Sequence, residues 1–72
     1  MTTMRRDAQF YTRHADKARA MWAAFTDNER HGVRFGMFPG PAITAAENEG
    51  FDHHALCVAL MDVASERGGM RA

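Results

Sequence analysis

Residues 52–68 read DHHALCVALMDVASERG: an aspartate, a nearly all-apolar middle and a glycine after the last full turn. An aspartate there can accept from the free amides of a first helical turn, and a glycine takes the left-handed conformation that ends a helix. Leu56, Ala59, Leu60 and Val63 fall on one stripe, while Cys57, Val58, Met61 and Ala64 spread apolar surface most of the way round. A helix of this kind must be enclosed. Three modest helices do not fully surround it, which makes self-association a second expected source of cover.

Working outward, Pro41 is placed for the first turn of a short helix running to about Glu49, with Gly50 as its left-handed stop. The stretch FPGP, residues 38–41, ends whatever precedes it. Thr26 and Glu29 have capping-box spacing, so a helix is predicted to begin near Asp27. Gly32 and Gly36 weaken it, and Val33, Phe35 and Met37 alternate as a strand would, which leaves residues 33–38 open between helix and extended chain. Before that, Met4, Ala8, Tyr11, Ala15, Ala18, Trp22 and Phe25 follow steps of four and three, a heptad stripe after a cap at Thr2 or Thr3. Alanine in its middle lets a neighbouring helix approach closely, and Phe10 and Met21 widen the apolar face. The expectation is a single all-α domain over residues 1–72, a small bundle of three to four helices with a long N-terminal helix and a buried C-terminal helix.

Composition narrows the function classes. A chain of 72 residues buries only about 60% of its unfolded surface, so stability is thin. Cys57 is the only cysteine, which excludes an internal disulfide and fits a reducing, cytoplasmic compartment. Arg5 and Arg6 lead into Asp7 and an amphipathic segment, not the apolar stretch of a secretory signal. The longest apolar run, residues 55–61, is far short of the roughly 20 residues of a membrane span, so no membrane role is expected. Nine basic and nine acidic side chains cancel, removing the long-range attraction to phosphate on which nonspecific nucleic-acid binding depends. The charge is unevenly placed: Arg5, Arg6, Arg13, Lys17 and Arg19 oppose only Asp7 and Asp16 in the first segment, and the remainder is acidic. Complementarity within the molecule explains that asymmetry, and a partner-facing basic stripe is the alternative.

Local patterns offer little chemistry. Ala46 and Gly50 have the Ala-x-x-x-Gly spacing of a helix-turn-helix, which makes a DNA-binding regulator using residues 42–64 the runner-up reading. Its exposed positions would be His53, His54, Cys57 and Val58, none of them a usual reader of base edges, and Glu49 and Asp62 repel phosphate. The Gly50-Phe51 turn leading to Ala59-Leu60 also loosely resembles a ubiquitin-associated domain. The resemblance implies a ubiquitin-binding surface, but Glu49 stands where that family usually has methionine, and no site residues are carried over. His53 and Cys57 share a helix face at zinc-ligand spacing, yet two ligands are not a site, and His14 or His31 would have to join them. Cys57 with His53, or the single serine Ser65 with a distant histidine, exhausts the nucleophile pairs. A thiol in an apolar helix should have a raised pKa, the reverse of activation. The glycines of HGVRFGMFPGP lack the lysine and hydroxyl of a phosphate loop.

The seven aromatics, Phe10, Tyr11, Trp22, Phe25, Phe35, Phe38 and Phe51, are expected to fill the core, with the apolar loop from Phe35 to Phe38 beside Arg34 as a docking exception. The reading is a non-enzymatic interaction or regulatory module acting by surface contact, needing no cofactor and no metal, with a protein partner and a homodimer as expected associations. Size suggests an accessory or inhibitor protein of the phage or plasmid type. The candidate partner-binding residues are Arg5, Arg6, Arg13, Arg34 and Phe38.

Overall fold

A computed structural model describes residues 7–69, in which four α-helices follow one another without a strand: α1 Ala8–Ala24, α2 Asp27–Arg34, α3 Gly40–Asn48 and α4 His53–Gly69. The chain is a small all-α bundle in which α4 packs against α1, α2 and α3.

Each boundary has a local chemical cause. α1 is capped by Asp7, not by Thr2 or Thr3, which lie outside the described residues; its Oδ1 accepts from the Phe10 amide at 2.9 Å. A carboxylate there satisfies an orphan amide and also meets the positive end of the helix dipole, which a hydroxyl does not. At the other end of α1 the Arg30 side chain reaches back from α2. Its Nε donates to the Trp22 carbonyl at 2.9 Å and its Nη2 to that of Ala23 at 3.1 Å, which places a cation on the negative end of α1. The capping box at Thr26 and Glu29 is complete in both directions, at 3.1 and 2.8 Å.

Residues 33–38 divide. Val33 and Arg34 finish α2, and Gly36, at φ +80°, turns the chain out of it before FPGP is reached. The Gly36 amide bonds the Val33 carbonyl and the Met37 amide the Gly32 carbonyl, a Schellman motif. The strand-like alternation is therefore a turn. α3 starts with Pro39 at its cap and Pro41 in its first turn, and ends as predicted at Gly50, φ +102°, in a second Schellman motif through the Ala46 and Glu47 carbonyls. Asp52 caps α4 by accepting from the Ala55 amide at 2.9 Å. The helix runs on through Gly68 to Gly69.

Leu56 and Leu60 of α4 are fully enclosed at the centre, among Ala18 and Trp22 of α1, Phe25 at its C-terminal cap, Val33 of α2, and Ile43 and Ala46 of α3. Ala18 lets the α4 backbone come close, as the alanine-rich stripe predicts. Only part of that stripe is core, however. Ala18, Trp22 and Phe25 are buried, whereas Ala8 and Tyr11 face solvent and Ala15 is half-buried. Phe10 and His14 are buried in their place. His14 explains the change: it is 1% exposed, its Nδ1 donates to the Phe10 carbonyl at 2.8 Å, and its Nε2 accepts the Asp52 amide at 2.9 Å. These bonds fasten the first half of α1 to the start of α4, rotating Phe10 and His14 inward. Because His14 meets Asp52 at the start of α4 while Trp22 and Phe25 share the core with Leu60, Val63 and Ala64 further along it, the two long helices run in the same direction.

Candidate interaction surfaces

Two surfaces stand out once the core is assigned. The first is the turn after α2. Phe35 and Met37 are 72% and 68% exposed, with the Phe35 ring against the His31 ring at 5.1 Å between centroids. Phe38, predicted as the docking aromatic, is instead half-buried against the core. The Schellman turn produces the exchange, since it swings residues 35–37 outward and lets residue 38 fold back. Gly32 permits the tight return: a β-carbon there would lie 3.0 Å from the Met37 carbonyl oxygen. Beside the turn, Arg19, Trp22, Ala23, Arg30 and Arg34 line an open cleft of about 430 Å³. Arg34 lies over the Trp22 ring at 5.3 Å and makes no hydrogen bond among the described residues, whereas Arg30 is engaged by α1 and Asp27.

The other predicted partner residues are placed differently. Arg13 stacks over Phe51 at 4.8 Å, and Lys17 pairs with Glu49 at 2.8 Å while also lying 5.5 Å from the Phe51 ring. The basic face of α1 is thus largely matched within the molecule at these positions. Arg5 and Arg6 lie outside the described residues.

The second surface is a groove of about 370 Å³ between α1 and α4. Tyr11, Ala15 and Arg19 form one wall at every fourth residue; His54, Val58, Asp62 and Glu66 form the other at the same spacing. Sequence periodicity missed it, because Tyr11 and Ala15 belong to the stripe read as core. The usable signal was the surplus of apolar positions around α4: Val58 and Met61 remain 47% and 40% exposed.

Around Cys57 the structure adds a member that sequence spacing did not supply. Cys57 Sγ is 3.8 Å from His53 Nε2, and His53 Nδ1 bonds the Glu47 carboxylate across the α3–α4 turn. The order is that of a thiol, a base and an orienting carboxylate. Burial, followed by the Glu47 charge, pushes the Cys57 thiol above its usual range, which opposes nucleophile activation. His14 and His31 are held elsewhere, the first by Phe10 and Asp52 and the second against Phe35. Among the described residues no three His, Cys, Asp or Glu side chains are grouped to hold a metal ion, and no helix is long and apolar enough to cross a membrane. No family model, no curated protein and no solved structure matches the chain.

Proposed function

We propose that this protein is a non-enzymatic interaction module, a small accessory or inhibitor protein that works by docking the α2–α3 turn onto a protein partner. The observation that carries the reading is the exposure of Phe35 and Met37 beside the arginine-lined cleft. Large apolar side chains held outward by a defined turn make suitable anchors for a partner pocket, and neighbouring arginines add bidentate contacts at the rim. The complementary partner is a protein with an apolar pocket bordered by carboxylates. The free thiol of Cys57 suits a reducing compartment such as the cytoplasm.

The runner-up, a helix-turn-helix regulator, draws on the α3–α4 pair joined at Gly50. Electrostatics weigh against it. Glu47, Glu49, Asp62 and Glu66 border α4, and the exposed side chains of its first turn are His53 and His54. The test is purification from the native cells, with and without nuclease, of the wild type and of a Phe35→Ser/Met37→Ser variant. A stoichiometric protein that survives nuclease and is lost in the variant supports the proposal. Retention of the same protein by the variant overturns the assigned surface, and nuclease-sensitive DNA as the sole companion promotes the runner-up.

A further inference from the structure

The α1–α4 groove has an arrangement that matches itself. Along the two parallel helices one wall runs Tyr11, Ala15, Arg19 and the other His54, Val58, Asp62, Glu66, so each passes from a polar ring through a small apolar side chain to charge. Asp62 and Glu66 are exposed and have no ion-pair or hydrogen-bond partner among the described residues; the same holds for the Tyr11 hydroxyl and for His54. Arg19 holds only Asp16, an exposed pair three residues away on the same helix at 3.0 Å. Such pairs contribute little and exchange readily. One wall thus ends in a cation and the other in two carboxylates, with small apolar side chains between them and the polar ring groups.

We infer that this groove is the contact face of a homodimer whose twofold axis runs along the groove, so that α1 of each copy lies over α4 of the other. It rests on the reading that the protein acts by contact but uses a surface separate from the turn. The rotation sets Arg19 against the partner's Asp62 and Glu66, Ala15 against the partner's Val58, and Tyr11 beside the partner's His54, each contact occurring twice. A second copy is the occupant that the charges select, since it brings a cation to both carboxylates and apolar surface to Val58. It also supplies the cover that three helices leave off α4. A 17-residue helix is about 25 Å long. Two side by side offer at most about 500 Å² per copy, at the low end for interfaces, so a weak and readily reversible dimer is expected.

The test is sedimentation of the full chain, with circular dichroism to verify folding. The wild type is expected to dimerise. Arg19→Glu alone should weaken the dimer at least about tenfold, as should Asp62→Arg/Glu66→Arg alone, because each sets like charges together at both contacts. Mixing the two variants should restore association to within about threefold of wild type, since the heterodimer has one native and one reversed contact. Pairing within one chain cannot produce that rescue. A wild type that stays monomeric up to about millimolar overturns the inference, as does a mixture no tighter than the separate variants. The Phe35→Ser/Met37→Ser variant should dimerise like wild type, so loss of a protein partner and loss of the dimer are read separately. If that variant is monomeric, the groove is not the contact face.

Discussion

The two halves of α1 share one heptad pattern and use it in opposite ways. In the second half Ala18, Trp22 and Phe25 are buried in one core with Val33 of α2 and Leu56 and Leu60 of α4, and Arg30 binds the last carbonyls. In the first half the equivalent positions Ala8 and Tyr11 are exposed, and the helix is held by Phe10, His14 and the Asp52 amide. The difference is what each half meets. The second half enters the core with Val33, Leu56 and Leu60 and uses its full apolar face, whereas the first half meets the start of α4 and the Phe51 ring with a narrower strip, leaving the rest as a groove wall.

That contrast can be broken at its strong end first. Trp22→Ala should cost about 3–5 kcal/mol, comparable with the whole stability of a domain this size, and circular dichroism should find it largely unfolded. A folded Trp22→Ala would mean that the second half of α1 is not the anchor. His14→Leu keeps the apolar bulk but removes the buried acceptor of the Asp52 amide, and should lower stability by about 1–3 kcal/mol in urea unfolding. An unchanged midpoint would show that the first half is held by packing alone. Arg30→Met retains the stem and removes the two carbonyl bonds, for an expected loss of about 1 kcal/mol. Tyr11→Ser should shift folding stability by no more than about 0.5 kcal/mol at protein concentrations below dimerisation, since its ring is half in water. A larger loss would return Tyr11 to the core that its periodicity suggested.

The smallest effect belongs to the opposite edge of α4. The folded state raises the Cys57 pKa, so its neutral form is favoured; the associated stability is present below the ordinary thiol value and is lost as pH rises through the folded value. Urea midpoints for wild type and Cys57→Ser should diverge only above about pH 9. Equal midpoints across the alkaline range would remove any contribution from the thiol.

Most of the fold was legible because its boundaries are local. The Thr26 and Glu29 box, Pro41, Gly50 and Asp52 each act through bonds to amides or carbonyls within a few residues, so sequence spacing is enough to place them. The surfaces were less legible, because they depend on contacts between distant segments. His14 reads as one of four histidines until Asp52, 38 residues away, is brought to it. Phe38 and Phe35 exchange roles because Gly36 turns the chain two residues before FPGP begins. Glu47 joins His53 only across a helix junction. The apolar surplus on α4 announced that cover was short, without showing where the gap would open.

The two bonds of His14 also label it chemically. A carbonyl can only accept and a backbone amide can only donate, so the ring must be neutral with its proton on Nδ1 and a bare Nε2. Nitrogen NMR distinguishes such a ring from an imidazole in water, whose tautomers average. One resonance in a 72-residue protein would thus report, without any introduced probe, whether the first half of α1 is seated on α4 or has lifted from it.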